Sequence, residues 1–421
     1  MKKRSTLFLV NVLMFMATVT FAQQPALQFF RANDKTGLNV FETGKEDSVE
    51  WDKLKVRIGG AFGLQYQAVD HENAANNLVN LINNFNLPNA NLDIDVQLYD
   101  GVRMHLRTYL SSRHHTETYV KGGYIQIDKL DFIKKDFLAS LMSKTTVKIG
   151  QMENNYGDAH FRRTDNAQGL YNPFVGNYIM DSFTTEIGAE VYYQTNGWLA
   201  MVGITNGRLN QSVADTATRG AFIAKVGYDK QLNEDLRVRV TGSIYTVNNT
   251  SSTYLYGGDR AGSRYYKVMD VQGGSTNDFS GRINPGFKTD MTSIMINPFV
   301  KFKGLEFFGV FETTSGFDKV KDAAFDGDRT WTQIAGELIY RFGGKEQFYG
   351  GGRYNSVKGQ LPGEETDKVT VTRFNIGGGW FMTKNIVAKV EYVSQEWKDY
   401  PPGQFQDGKF NGIMIEAIIA F

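Results

Sequence analysis

The 421-residue chain has no cysteine, only 8 prolines and no excess of either charge, with 46 basic against 45 acidic residues. The missing cysteines rule out a disulfide framework, a thiolate metal site and lipid attachment at a cysteine. A formal net charge of +1 gives no basic footprint for nucleic acid. No apolar run reaches the roughly 20 residues that a spanning helix needs, and the one at the start, from Leu7 to Val19, also falls short. The hydrophobic fraction of 41% and the mean hydropathy of −0.35 are low for a helical membrane protein. Neither value excludes a transmembrane barrel, which hides its apolar residues at alternate positions where an average cannot see them.

The chain is rich in glycine (44), phenylalanine (30) and tyrosine (21), and its apolar residues recur at period two. The last twelve residues show this most plainly. Ile413, Ile415, Ala417, Ile419 and Phe421 fall on one face of a strand, and Gly412, Met414, Glu416, Ile418 and Ala420 fall on the other. A terminal strand with one wholly apolar face must be paired on both sides or it becomes an aggregating edge. Closing a barrel against the first strand solves that problem.

Alternating segments begin at residue 54 and end at 421, and they number about sixteen, uncertain by two at 262–268 and 117–128. Tight connections such as Asp100-Gly101, Thr195-Asn196-Gly197 and Lys303-Gly304 alternate with long ones at 69–90, 153–183, 247–290 and 315–329. The fold expected is all-β, a transmembrane antiparallel β-barrel with short periplasmic turns and long extracellular loops. Residues 129–144 break the rule. They form either an excursion on the short-turn side or a sign of a misplaced strand.

Aromatic residues on the apolar face also gather near the turns. Tyr193, Trp198, Tyr228, Tyr340, Phe342, Phe348, Trp380 and Phe421 lie toward the short-turn side, with Tyr66, Tyr354 and Tyr392 toward the other. That is the placement of two interfacial girdles in outer-membrane lipid. Residues 1–22 have a basic start, an apolar run and Thr20-Phe21-Ala22, the layout of a cleaved signal peptide. Residues 23–53 are polar and too short for a domain or plug, so a periplasmic tail or strap is expected ahead of the barrel at 54–421.

Five stretches resemble the porins of the Bacteroidetes and, more distantly, the phosphate-selective porin O and P family. They are Gly37-Leu-Asn-Val-Phe-Glu42, Gly59-Gly-Ala-Phe62, Lys148-Ile-Gly-Gln151, Asn172-Pro-Phe-Val-Gly-Asn177 and Gly351-Gly-Arg-Tyr-Asn355. The resemblance implies a homotrimer in the outer membrane of a Gram-negative bacterium, with sixteen strands per pore and a loop folded into each lumen. It implies passive diffusion of small hydrophilic solutes or inorganic anions and does not establish phosphate.

If the apolar face meets lipid, the alternate positions meet the lumen. The basic residues there include Arg57, Arg103, Arg107, Arg237, Arg239, Arg341, Arg353 and Arg373. Arg341, Arg353 and Arg373 stand on consecutive strands and suggest a diagonal ladder for an anion. The competing reading pairs each with a neighbouring acid. The segment 153–183 is the candidate constriction, with Arg162, Arg163, Asp158 and Asp165 as its charges and Arg162 and Arg163 near the eyelet.

No catalytic residue, metal ligand or cofactor site is assigned. His71, His105, His114, His115 and His160 have no serine or aspartate at a nucleophile spacing. His114-His115, Asp326-Gly327-Asp328 and the runs Gly350-Gly-Gly352 and Gly377-Gly-Gly379 read as loop and barrel features. Two alternatives to a pore stay open: a barrel whose lumen is blocked, acting in structure or adhesion, and a barrel enzyme.

Overall fold

The alternation produces sixteen antiparallel strands that close on themselves. The structure is a computed structural model that describes residues 24–110, 118–209, 213, 219–257, 265–274, 281–324, 327–364 and 367–421. The expected signal segment, His114-His115 and Asp326 lie outside the described residues. In chain order the first eight strands are β1 (Lys55–Glu72), β2 (Asn84–Tyr99), β3 (Val102–Leu110), β4 (Thr118–Ile127), β5 (Thr145–Glu153), β6 (Thr185–Thr195), β7 (Trp198–Thr205) and β8 (Ala221–Gln231). The second eight are β9 (Leu236–Val247), β10 (Asp290–Phe302), β11 (Leu305–Phe317), β12 (Arg329–Phe342), β13 (Phe348–Gln360), β14 (Lys368–Thr383), β15 (Ile386–Lys398) and β16 (Lys409–Ala420).

Each strand pairs with its sequence neighbour, and β1 pairs with β16 from Ala61 opposite Ala420 to Glu72 opposite Lys409. Phe421 completes the seam: its N–H donates to Gly60 O at 3.0 Å, and its carbonyl accepts from Gly60 N at 3.1 Å. No sheet edge is left, as a span through hydrocarbon requires. Among the described residues no helix is long and apolar enough to cross a membrane.

Side chains alternate as the period requires. In β7, Trp198, Ala200, Val202 and Ile204 point outward and are exposed, and Leu199, Met201 and Thr205 are buried inside. A turn with the twist of the strands joins β6 to β7, where Asn196 (φ 50°) and Gly197 (φ 87°) both take the left-handed conformation. Outside, Tyr340, Phe342, Phe348 and Trp380 stack in a row with ring centres 6.1, 5.7 and 6.0 Å apart, and Trp198 meets Tyr228 at 5.1 Å.

The weak alternation of 117–128 has a physical cause. Arg107 pairs with Gly122 and Thr108 with Val120, so Lys121 is an extra residue in a bulge. Lys121 and Gly122 are both buried as a result. Residues 128–144 form an excursion on the short-turn side, with a one-turn helix at Ala139–Met142, and displace no strand. The described part of 262–268 is turn.

Candidate functional site

Among the described residues, parts of the β9–β10 connection pack into the lumen, where Tyr256 and Tyr265 donate to Glu312 and Glu391 at 2.6 and 2.8 Å, and two further segments build the site. The first is the connection 154–184 between β5 and β6, buried over most of its length. A chain lodged in a barrel must satisfy its backbone polar groups, and here the wall supplies the partners. Val175 N donates to Glu391 at 2.7 Å, Ile179 N to Asn355 at 2.7 Å and Met180 N to Gln333 at 2.9 Å. Asp158 N donates to Asn297 at 2.8 Å, and Ala167 N to Asn91 at 3.0 Å. In return Lys389 Nζ donates to Gly169 O at 2.8 Å and Arg353 Nη1 to Gly176 O at 2.8 Å. These contacts reach β2, β10, β12, β13 and β15, so the loop crosses the interior.

The second is the stretch 24–52 ahead of β1. It is too short to fold alone, yet it does not hang free. Gln28 N donates to Gln97 at 2.9 Å, and Asn33 Nδ2 to Gly60 O at 2.8 Å. Asn39 donates to Glu306 at 2.6 Å, and Lys45 pairs with Asp128 at 2.7 Å. Phe41 packs edge-on against Phe161 of the inward loop and Phe299 of β10, with ring centres 5.7 and 5.4 Å away. The segment is a strap laid across the short-turn mouth.

Strap, loop and wall meet in one buried quartet of charges. Lys225 Nζ lies 2.8 Å from Glu42 and 2.6 Å from Asp158, and Arg239 lies 2.7 Å from Glu42 and 2.8 Å from Asp158. Burial opposes ionisation of both carboxyls, but Arg239 and Lys225 outweigh it. They hold Glu42 well below its ordinary 4.5, and Asp158 below its ordinary 3.8. Asp165 is likewise lowered against burial by Lys121 and Arg163.

The proposed arginine ladder is corrected by this packing. Arg341, Arg353 and Arg373 do stand on β12, β13 and β14, but they are only 3%, 2% and 3% exposed. Arg341 pairs with Glu306 at 2.8 Å, and Arg353 with Glu337 at 2.6 Å. Arg373 donates to Gln395 at 2.6 Å, to Asn177 O at 2.5 Å and to Gly281 O. Wall residues, the inward loop and Gly281 of the β9–β10 connection together supply the partners of these three arginines.

Arg162 and Arg163 are buried too, and so do not border an open eyelet. Arg162 pairs with Glu337 at 2.6 Å; Arg163 pairs with Asp181 at 2.8 Å and with Asp165. Arg237 lies 2.7 Å from Asp229, and Arg239 belongs to the quartet. Arg57 rests over the Phe30 ring at 5.0 Å.

Space remains on the opposite side. A cavity of about 180 Å³ lies between the two inserts and the β2–β6 wall. Since one water needs about 10–15 Å³ of such space, it holds on the order of ten. Asp93, Asp95, Arg103, His105, Arg107, Tyr124, Lys148 and Tyr192 line the wall side, and Phe30, Arg31, Phe41, Glu42, His160, Phe161 and Tyr171 line the other.

The carboxylates of this cavity are committed. Asp93 holds Arg107 at 2.6 Å, Asp95 holds Arg103 at 3.1 Å and His105 at 2.9 Å, and Glu153 holds His160 at 2.5 Å. Two cations lack a carboxylate partner among the described residues. Lys148 Nζ sits 4.9 Å from the Tyr192 ring and 5.7 Å from the Tyr124 ring. Arg31 lies 4.0 Å over Tyr171 and donates only to Gly37 O, Phe161 O and Gln168. Arg103 and Arg107 line the cavity from β3. Arg31, Glu42 and Lys121 were not legible as site residues, because two lie in the strap and one in a bulge.

No protein-family description and no curated protein matches the chain. Solved structures do. The anion-selective porin from Comamonas acidovorans superposes with a TM-score of 0.54 at 11% identity, covering 88% of this chain and 100% of that one. A loop L8 deletion mutant of OmpT, an outer-membrane protein of Vibrio cholerae, gives 0.53 at 10%, covering 88% and 100%. The outer-membrane channel DcaP of Acinetobacter baumannii gives 0.51 at 12%, covering 88% and 98%. At such identities the likeness is one of fold. The closed sixteen-strand architecture of this chain is that of outer-membrane porins.

Proposed function

We propose that the chain is an outer-membrane channel through which small hydrophilic solutes diffuse along the β2–β6 side of a largely filled lumen. The observation that carries this reading is the polar cavity there, whose acids are all engaged while Lys148 and Arg31 lack carboxylate partners among the described residues. A wall with uncompensated positive charge in a low-dielectric surround raises the local concentration of anions. Inorganic anions, phosphate among them, are the first solutes to test. The reading involves no covalent step, an exported chain cleaved after residue 22, and a homotrimer in the outer membrane.

The test is the reversal potential of purified protein in a planar bilayer under a salt gradient, for the wild type and for Lys148→Gln. Anion preference that falls in the variant supports the reading, and unchanged preference contradicts it. A second reading, a sealed structural barrel, draws on the dense side-chain filling opposite β12 through β15. Absence of any conductance in wild type and strap-deleted protein alike supports that one.

A further inference from the structure

Beyond Asp128, which pairs with Lys45 of the strap, the excursion between β4 and β5 is exposed over most of its length. The other connections at that end are two to five residues long, whereas this one runs from 128 to 144. It presents Phe132, Ile133, Phe137, Leu138 and Leu141 at 49%, 59%, 39%, 49% and 50% exposure. Five large apolar side chains within ten residues would be costly facing water. The backbone is folded on itself, with Ile133 N bonded to Leu130 O, Phe137 N to Lys134 O, and Met142 N to Leu138 O at 3.0, 3.0 and 2.9 Å. Such internal pairing is what a segment leaving water requires.

We infer that this excursion is a lipid anchor, bedded at the headgroup–acyl boundary of the leaflet on the short-turn side. Two further observations select phospholipid as the occupant. The patch is continuous with the lipid-facing wall: Leu138, Leu141 and Lys144 border a groove shared with Tyr193, whose outward ring belongs to the aromatic girdle. Lys134, Lys135 and Lys144 are exposed and form no ion pair among the described residues. Lysines beside an apolar face extend their ammonium groups to headgroup phosphates while their stems lie along the chains.

The absence of cysteine allows a clean test. Single variants I133C, F137C and L141C carry a nitroxide in phosphatidylethanolamine–phosphatidylglycerol bilayers. V191C on the outward face of β6 reports insertion of the barrel itself, and E234C in the β8–β9 turn reports the aqueous side. The ratio of oxygen to nickel-chelate collisions at 133, 137 and 141 is expected to lie several-fold above that at 234, toward that at 191. Adding K134E and K135E is expected to lower the ratio at 137. Labels as accessible to nickel as position 234 overturn the inference. Labels shielded from both reagents also overturn it, in favour of a second copy of the chain. A low ratio at 191 would instead indict the membrane reading on which the inference rests.

Discussion

Replacing Lys225 by methionine tests whether strap and inward loop are locked together by one charge cluster. The ammonium is wholly buried, between Glu42 at 2.8 Å and Asp158 at 2.6 Å, with Asn155 Oδ1 and Gly157 O at 2.7 and 2.8 Å. Methionine keeps most of the volume and removes the charge, so the quartet with Arg239 passes from neutral to net negative. Breaking a buried pair from one side costs about 3–5 kcal/mol. Arg239 still bridges both carboxylates, which places the effect at the lower end. About 3 kcal/mol corresponds to a factor of roughly 10² in the docked-to-released ratio of the strap.

Trypsin cleavage after Lys45 reads that ratio when opening is fast relative to cutting. The rate is expected to rise by about two orders of magnitude in K225M, with larger conductance in the bilayer. Adding E42Q restores neutrality around Asp158 and Arg239, and so is expected to recover part of the protection. Wild-type proteolysis and conductance in K225M, or further loss on adding E42Q, would refute the reasoning.

Two other outcomes follow from the same geometry. Folded-state pKa values of Glu42 and Asp158 lie below the ordinary 4.5 and 3.8. Their contribution is therefore complete above those ordinary values and is lost as pH falls through the lower, folded ones. Conductance recorded from pH 7 downward is expected to stay level to about pH 5 and to change only in strong acid; opening between pH 7 and 5 would contradict this. R353A strands half of the Glu337 pairing in a buried site, leaving Arg162 at 2.6 Å. The midpoint of heat-modifiable gel migration is expected to fall, by about 3 kcal/mol of stability, with little change in reversal potential. Lost selectivity without lost stability would restore the ladder.

All strands but β4, whose bulge weakens its pattern, were plainly legible because a lipid-facing wall imposes alternation, and that signal survives in segments as short as Trp198–Thr205. The first half of β2 was not, since Asn84 through Ala90 is asparagine-rich and carries Pro88. The faces of the lumenal charges could be assigned from period two, but not their partners. Glu337 stands opposite Arg353 only through the β12–β13 register, which no single sequence displays. Nor does a polar stretch such as 24–52 announce that Phe41 and Glu42 will be drawn inside. Their partners Phe299, Lys225 and Arg239 lie 258, 183 and 197 residues away. Lys121 escaped because a bulge breaks the alternation by which lumenal residues are recognised.

Cysteine placed at Lys148 or at Asn355, each in the otherwise cysteine-free chain, separates an eccentric path from a central one. Current is recorded during addition of a charged thiol reagent. The geometry predicts a drop in current for K148C, whose position faces the cavity along β2–β6. It predicts none for N355C, whose position is fully buried and hydrogen-bonded to the inward loop at Ile179. Equal block at both positions, or block at 355 alone, would contradict a solute path confined to the β2–β6 wall.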